Sequence, residues 1–157
     1  WVMLMTLARE HNAVVINNSN RTEITLWYAT IYWDTIGFLS TIWDLKKTEV
    51  YDLARWVNKN NGSEIIAESV INRAASAELS EWQVDPFDYT KECDWIDAIM
   101  DNKWTLEAIK LWLTPEKAQH YYNLFKRSEF KRMQFPPVIR LKPNTLGLGR
   151  VYPIVNK

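Results

Sequence analysis

The sequence predicts an α/β fold in which a parallel sheet is flanked by helices, and in which helices predominate. Residues 13–16 (AVVI) form a continuously apolar, β-branched run, typical of a parallel strand that is buried on both faces. A polar run over residues 17–20 follows, and residues 21–28 read as a helix. In α/β proteins this order of strand, loop and helix places ligands at the carboxyl end of the strand.

Most of the remaining chain is predicted to be helical. A helix is expected over residues 2–11, and a stronger one over 48–58, with Val50, Leu53, Ala54 and Val57 on one face. Short helices are expected over 65–71, 93–100 and 105–111, and a long one to about residue 132 opens with Thr114 as N-cap and Pro115 in the first turn. Residues 72–89 are polar and irregular, which marks a candidate functional loop. Three prolines predict that the last 25 residues or so form an extended tail.

Composition narrows the class of protein. A chain of 157 residues with 47% hydrophobic and 24% charged residues fits one globular domain. Its 19 basic and 19 acidic side chains give zero net charge, which argues against non-specific nucleic-acid binding. No apolar run reaches the roughly 18 residues of a membrane span. The single cysteine, Cys93, excludes an internal disulfide and fits a reducing compartment, so we expect a cytoplasmic protein.

Most candidate functional side chains have a simpler structural interpretation. His11 and His120 are isolated histidines, and Cys93 lacks a neighbouring base and is expected to be a buried, inert thiol. We expect two groups of charged residues to lie on solvated helix faces: Asp94 with Asp97, and the basic cluster Lys126, Arg127, Lys131 and Arg132. Glu23 differs, because it lies one turn into a helix that follows a strand, where a carboxylate can bind Mg²⁺ in a nucleotide site.

Six segments, in the right order, resemble the NAD⁺ synthetase family, in particular the synthetase domain of its glutamine-dependent form. AVVINNSNRTE (13–23) resembles the family's strand and its L-N-T-S-N-K-S-E loop, and TIWDLKKTEVYDLAR (41–55) resembles I-G-D-L-x-K-T-x-V-Y-x-L-A-R. LWYATIYWD (26–34) resembles L-G-Y-x-T-L-Y-G-D, and the loop over 72–89 resembles R-P-P-S-A-E-L-x-x-x-Q-x-D. EFKRMQ (129–134) and GRVYPI (149–154) resemble E-Y-K-R-R-Q and R-R-Y-P-I.

The resemblance implies a Rossmann-like adenine-nucleotide α-hydrolase fold, of which this chain is the C-terminal part of one synthetase domain. It assigns residues 1–60 to the nucleotide site, 72–90 to a mobile active-site loop, 91–133 to a helical part and 134–157 to the extended tail. The family's S-G-G-x-D-S phosphate-binding loop does not occur in this chain, and neither does a glutaminase domain. We therefore expect a fragment that is inactive alone and binds ATP poorly.

The resemblance also implies a reaction. The family uses ATP to adenylate the nicotinate carboxylate of deamido-NAD⁺, and ammonia, free or from glutamine, then displaces AMP to give NAD⁺. The implied contacts are Glu23, Lys131 and Asp34 for deamido-NAD⁺, and Asn18, Lys47 and Ser76 for ATP. Glu23 would also bind Mg²⁺, Lys47 and Ser76 are the catalytic candidates, and Asn18 stands where the family has a threonine. The assembled enzyme is expected to be a homo-oligomer without nucleic-acid or membrane partners.

Two alternatives stay open at this point. The chain could come from another ATP-pyrophosphatase amidotransferase, such as a GMP-synthetase-like enzyme, although the segment with Lys131 and the Tyr-Pro-Ile end count against it. It could also be a degenerate, non-catalytic nucleotide-binding protein, an interpretation favoured by Asn18 and by the tryptophans described next.

The chain has 9 Trp but only 4 Gly, whereas average usage of about 7% would give about 11 Gly. Against the family pattern, Trp27, Trp33 and Trp43 stand at glycine positions, and Trp1, Trp82, Trp104 and Trp112 fit the same pattern; Trp56 and Trp95 fit either residue. We hypothesise that the source reads UGA codons as glycine and that this sequence renders them as tryptophan. Seven such restorations would bring the glycine count to about 11.

Overall fold

The computed structural model describes residues 1–100 and 113–147. Within these ranges the order of elements is α1 (Val2–Glu10), β1 (Ile16–Asn17), α2 (Arg21–Leu26), β2 (Leu39–Ser40), α3 (Lys47–Asn61), α4 (Glu68–Ile71), α5 (Tyr89–Met100), α6 (Pro115–Arg127) and α7 (Glu129–Arg132). This helix-rich chain with a small parallel sheet confirms the predicted fold class. The helix expected over 105–111 and the resembling segment 149–154 lie outside the described residues. None of the described helices is both long enough and apolar enough to cross a membrane.

The sheet brings three separate stretches of the chain together. β1 pairs with β2 in parallel, with Ile16 opposite Leu39 and Asn17 opposite Ser40. The tail then adds a parallel bridge between Ser40 and Val138. The strand predicted over 13–16 starts only at Ile16, and the expectation that this strand is buried was wrong, because Val14 is 58% and Ile16 41% exposed. Both side chains line a cavity together with Leu4 and Leu7 of α1, and they are covered only in part.

Local capping explains where the helices begin and end. Asn20 caps α2 by accepting hydrogen bonds from the amides of Thr22 and Glu23, and the Glu23 side chain accepts one from the Asn20 amide. Thr114 accepts from the Lys117 amide at the start of α6, as predicted. The long helix expected to reach residue 132 is interrupted at Ser128, so that α7 is a separate short helix.

Helix α3 begins at Lys47 and ends at Asn61, and the next residue, Gly62, has a φ of 65° that glycine adopts readily. Residues 72–88 carry no helix or strand, in agreement with the predicted irregular loop. The apolar face predicted on α3 is only partly covered: none of its residues is buried, and Leu53 is 42% exposed. Periodicity thus located the helix but not the depth of its packing.

The core forms where α2, α5 and α6 meet, with Trp43 and the tail closing it. Nine buried side chains belong to it: Ile24, Leu26, Trp27, Trp43, Ile96, Ile99, Tyr121, Phe125 and Leu146. Cys93 is also buried, as expected. Burial of apolar surface at about 25 cal/mol per Å² is the main stabilising contribution here.

A buried ionic network, which we call the Arg21 hub, joins α2 to α5 and to the tail. Arg21 Nη1 donates to Asp44 Oδ1 at 2.8 Å, and the Arg21 guanidinium also pairs with Asp97. Asp44 Oδ2 accepts from the Thr145 hydroxyl at 2.6 Å and from the backbone amides of Leu141 and Lys142. The prediction of a solvated face for Asp97 was therefore wrong, whereas Asp94 is exposed and pairs only at the surface, with Lys46.

The basic cluster is also divided between surface and interior. Arg132 is buried and its Nε donates to Glu129 Oε2 at 2.7 Å, so the interpretation of a uniformly solvated face was wrong for this residue. His11 and His120 are both exposed. Neither histidine lines the cavity at the carboxyl end of β1 that is described below.

The tryptophans occupy unlike environments. Trp27 (φ 55°) and Trp82 (φ 63°) adopt left-handed backbone conformations, which glycine adopts without steric cost. Trp27 ends α2 at a position typical of glycine, and its buried Nε1 has no hydrogen-bond partner among the described residues. Trp43 is a well-buried core residue in edge contact with Phe135. Of the five proposed glycine positions within the described residues, two thus have a backbone that favours glycine. Trp104 and Trp112 lie outside the described residues, and the codon hypothesis stays a hypothesis.

Candidate functional site

A polar cavity of about 380 Å³ opens at the carboxyl end of β1. Its wall combines the loop after β1, the first turn of α2, the segment before β2, the start of α3 and part of the 72–88 loop. Five of the six residues expected from the sequence line it, namely Asn18, Glu23, Asp34, Lys47 and Ser76. The cavity thus lies at the carboxyl end of a strand, beside a polar loop, where α/β proteins bind ligands.

The floor of this cavity is held by Asn17, the last residue of β1. Its Nδ2 donates to the carbonyls of Asp34 (2.7 Å) and Ile36 (3.2 Å), and its Oδ1 accepts from the Ser19 amide. Gly37 lies against the same strand with φ 145°, and an added Cβ there would meet Asn17 N at 3.0 Å and Val15 O at 3.1 Å. These contacts keep the two loops in one fixed arrangement, in which Asn18 is exposed to the cavity.

Glu23 and Lys47 form the charged centre of the site. Lys47 Nζ donates to Glu23 Oε1 at 2.9 Å, and both side chains are about one-fifth exposed. Glu23 Oε2 completes the α2 cap through the Asn20 amide, which fixes the carboxylate in place. Burial lowers the pKa of Lys47, but the Glu23 carboxylate outweighs this, so the Lys47 pKa is raised above 10.5 and the ammonium is charged at neutral pH.

The start of α3, and with it Lys47, is fixed by α2. Thr22 Oγ1 accepts from the Lys47 amide at 3.1 Å and contacts the Cys93 sulfur, while the Arg21 amide donates to the Leu45 carbonyl. The Arg21 hub lies directly behind this junction, because Asp44 precedes α3 by three residues. The cation of the site is therefore supported by buried polar contacts rather than by a flexible loop.

Of Asp34 and Lys131, only Asp34 reaches the cavity wall. Asp34 lines the cavity, and its Oδ1 accepts from the Thr30 amide. Loss of hydration raises the pKa of Asp34 above 3.8, and the nearby Glu23 carboxylate acts in the same direction. Lys131 is not among the lining residues; its ammonium lies over the Trp27 ring, 5.6 Å from the centroid, and interacts electrostatically with Asp34.

The 72–88 loop contributes Ser76, Ala77 and Asp85 to the cavity. Ser76 Oγ accepts from the Glu78 amide at 3.0 Å in a local turn, and no hydrogen bond donated by its hydroxyl is seen among the described residues, so the hydroxyl could donate to a ligand. Asp85 N donates to the Ala75 carbonyl, which ties the two ends of the loop together. Asp85 Oδ2 accepts from the Tyr89 hydroxyl, and its buried Oδ1 has no hydrogen-bond partner among the described residues.

Sequence reasoning missed several lining residues, among them Tyr28, Trp33 and Asp85. Asp85 lies in the matched Q-x-D segment, so its position in a resembling motif was the available signal. Tyr28 gave no local signal; its ring packs on Phe87 at 5.1 Å and its hydroxyl accepts from Gln83 Nε2, contacts between distant parts of the chain. Trp33, 67% exposed at the cavity wall, narrows the site on that side.

The donor set suits a phosphate ester accompanied by a cation. Mg²⁺ is usually held by one or two carboxylates together with substrate phosphates, and Glu23 offers a carboxylate whose oxygens each keep one free lone pair. Among the described residues, no group of three His, Cys, Asp or Glu side chains could hold a metal ion by itself. A cation here would therefore depend on ligands supplied by a bound substrate.

The chain is similar along nearly its whole length to curated proteins. Across 99% of its length the chain is 34% identical to the glutamine-dependent NAD(+) synthetase of Xanthomonas campestris pv. campestris (strain 8004), covering 29% of that protein. It is 32% identical to the enzyme of the same name from Synechocystis sp. over 97% of the chain, covering 28% of that protein. The chain thus spans less than a third of the length of these curated relatives.

Solved structures share the fold at lower identity. A glutamine-dependent NAD(+) synthetase from Cytophaga hutchinsonii superposes with a TM-score of 0.70 at 18% identity, over 98% of this chain and 26% of that one. An NMN synthetase from Francisella tularensis superposes with a TM-score of 0.65 at 22% identity, over 91% of this chain and 52% of that one. The profile described as NAD synthase matches residues 1–135. With that match covering most of its length, the chain belongs to the NAD synthase family.

Proposed function

We propose that this chain is part of an ATP-dependent NAD⁺ synthetase that converts deamido-NAD⁺ to NAD⁺. The observation that carries the proposal is the cavity at the end of β1, which gathers Asn18, Glu23, Asp34, Lys47 and Ser76 from four separate stretches of the chain. Membership of the NAD synthase family and the names of the relatives support the same assignment. The GMP-synthetase-like alternative lacks such support.

Each residue has a role that follows from its chemistry. Lys47 acts as a point charge on the ATP phosphates, and Asn18 and Ser76 supply hydrogen bonds to the nucleotide and phosphate. Glu23, Asp34 and Lys131 orient deamido-NAD⁺. Glu23 would hold Mg²⁺ together with the substrate phosphates, and the ion would neutralise charge on the triphosphate.

The reaction has two steps. A nicotinate carboxylate oxygen bonds to the α-phosphorus of ATP as the bond to pyrophosphate breaks, and pyrophosphate leaves. Ammonia nitrogen then bonds to the carbonyl carbon, AMP leaves with the electrons of the C–O bond, and the nitrogen loses a proton. Lys47 and Ser76 stabilise charge that develops on the phosphates during the first step, which is where fixed cations and hydroxyls accelerate phosphoryl chemistry most.

The test is amide formation by the complete gene product, supplied with ATP, Mg²⁺ and either ammonia or glutamine. We expect NAD⁺, AMP and pyrophosphate in equal amounts, and at least a hundredfold loss of kcat/KM in Lys47→Met, since a fixed cation is typically worth that much. Lys59→Met, on the same helix but distant from the cavity lining, serves as the control. Absence of amide from a folded complete protein would favour the degenerate, non-catalytic alternative.

The isolated 157-residue chain should not form the amide, because its sequence has no S-G-G-x-D-S loop to hold the pyrophosphate. We expect no NAD⁺ from ATP, Mg²⁺, ammonia and deamido-NAD⁺ with this chain alone. Measurable NAD⁺ in that assay would show that the residues described above suffice, and would contradict the expectation.

A further inference from the structure

Two tyrosine rings lie near the ammonium group of Lys47. Its Nζ is 6.0 Å from the centroid of the Tyr51 ring and 5.5 Å from that of Tyr89. Glu23 Oε1 is its one hydrogen-bond acceptor among the described residues. A lysine ammonium carries three donors on a flexible four-carbon stem, so a single hydrogen bond does not fix the direction of the Lys47 side chain. The faces of the two tyrosine rings attract the ammonium group and restrict it further.

The two rings are fixed independently of each other. Tyr51 lies one helical turn after Lys47 on α3, so backbone spacing alone brings its side chain alongside. Tyr89 is the first residue of α5 and is buried; its hydroxyl donates to Asp85 Oδ2 at 2.7 Å, and its ring packs against Phe87. Neither tyrosine lines the cavity at the end of β1; both line a neighbouring cavity instead.

Asp85 links this arrangement to the loop that carries Ser76. It lines the cavity, receives the Tyr89 hydroxyl, and donates its own amide to Ala75, the residue before Ser76. A displacement of the loop would therefore move Asp85, and with it the ring that faces Lys47.

We propose that Tyr51 and Tyr89 are positioning residues that hold the Lys47 ammonium toward the cavity, and that Asp85 sets the orientation of Tyr89. The identity of the ligand, a nucleoside triphosphate, rests on the proposed function. The placement of Lys47 itself follows from the distances above, whether or not that function holds.

The test reads Lys47 directly by NMR of the 157-residue chain with ¹³C-labelled lysine, the Lys47 signal being identified by its loss in Lys47→Arg. Nearby aromatic rings shift the Hε resonances of a lysine that is held over their faces. We expect this shift to persist in Tyr51→Phe and Tyr89→Phe, which keep the rings, and to fall toward the free-lysine position in Tyr51→Leu and Tyr89→Leu. An unchanged Lys47 shift in both leucine variants would overturn the proposal.

Tyr51 is only half-buried, so Tyr51→Leu keeps the test decisive if Tyr89→Leu fails to fold. The Lys46 and Lys142 signals, which report pairing with Asp94 and Glu49, act as internal controls for the fold. Tyr89→Phe separates ring from hydroxyl: it should retain the ring shift on average but broaden the Lys47 signal, because the link to Asp85 is lost.

A titration of the complete gene product with ATP and Mg²⁺ separates the two proposals, because the 157-residue chain alone is expected to bind ATP poorly. We expect the leucine variants of the complete protein to bind ATP about threefold more weakly than wild type, the size of effect that a partly exposed cation–π contact gives, and the phenylalanine variants to bind as wild type does. No binding of ATP by the folded, complete wild-type protein would count against the nucleotide site. The ring-induced shift would still decide the positioning role.

Discussion

Two sides of this molecule differ in which residues they bury: charged residues are buried on one side, and apolar residues are exposed on the other. On the side of the Arg21 hub, Arg21 and Asp44 are only 2% and 1% exposed; they pair with each other, and Asp44 also accepts a hydrogen bond from the Thr145 hydroxyl. On the side of α1 and β1, Met3 is 78% exposed and no residue of α1 is buried. Burial in this chain follows the availability of a packing partner more closely than it follows hydropathy.

The largest effect is expected where a buried charge would lose its partner. Arg21→Met leaves the buried Asp44 without its cation and leaves Asp97 with Lys142 alone, which should lower the free energy of unfolding by about 3–5 kcal/mol. Urea unfolding followed by circular dichroism measures it. Arg55→Met, which removes exposed ion pairs on α3, is the control and should cost less than about 1 kcal/mol. Equal losses in the two variants would mean that the hub is not a buried unit.

The second effect concerns pH. Burial alone would raise the pKa of Asp44, but the Thr145 hydroxyl, the Leu141 and Lys142 amides and Arg21 outweigh it and hold the pKa below 3.8. A carboxyl with a lowered folded-state pKa stabilises the fold above its unfolded pKa, and this contribution is lost as the pH falls through the folded value.

We therefore expect the melting temperature to fall as the pH drops below about 4. Asp44→Asn should cost about 2 kcal/mol at pH 7, the value of a charged hydrogen-bonding group, and should flatten the acid limb of the curve. Thermal melts between pH 7 and pH 3 check this. If Asp44→Asn kept the full acid dependence, other carboxyls, such as Glu49 with its similarly lowered pKa, would be responsible.

A smaller effect tests backbone strain at exposed tryptophans. Trp82 is 90% exposed with φ 63°, so Trp82→Gly should raise stability by about 0.5–1 kcal/mol through relief of the left-handed conformation. Trp56 is also exposed but lies within α3, where Trp56→Gly should lower stability by about 0.5–1 kcal/mol. The same substitution is thus expected to have opposite signs at two surface sites, measured by urea unfolding. The same sign at both would show that φ at Trp82 carries no strain.

The smallest effect is expected on the open side. Leu7 on α1 is 46% exposed, so Leu7→Lys should change the free energy of unfolding by less than about 0.5 kcal/mol. Thermal melting of the isolated chain measures it. A loss above about 1.5 kcal/mol would mean that α1 is packed in solution and that the contrast between the two sides does not hold.

The sequence predicted the fold class and the position of most helices because capping and periodicity are local properties. Thr114 at the start of α6 lies where its chemistry predicted. Burial was predicted less well. The run at residues 13–16 is apolar enough for a central strand, yet whether it is covered depends on what packs beside it, which no local pattern contains.

The candidate site was predicted through resemblance rather than through local pattern. Five expected residues line one cavity, but Lys131 lies beside it over Trp27, and Asp97 turned inward to meet Arg21 across 76 positions of sequence. Tyr28 and Asp85 were missed because their role depends on where the 72–88 loop folds back, a contact between distant segments.

Gly37 illustrates how mutational tolerance can mislead. Every coding change away from glycine adds a Cβ, and at this position that atom would meet the backbone of β1 at 3.0–3.1 Å. In a saturation-mutagenesis screen for function, Gly37 should thus be as intolerant as Glu23 or Lys47, although it contributes no group to a ligand. Positions near this cavity that do not tolerate substitution will therefore be of two kinds: residues that contact the ligand, and residues whose small size the backbone packing requires. A screen for folded protein alone would separate them, since it would retain changes at Lys47 and discard those at Gly37.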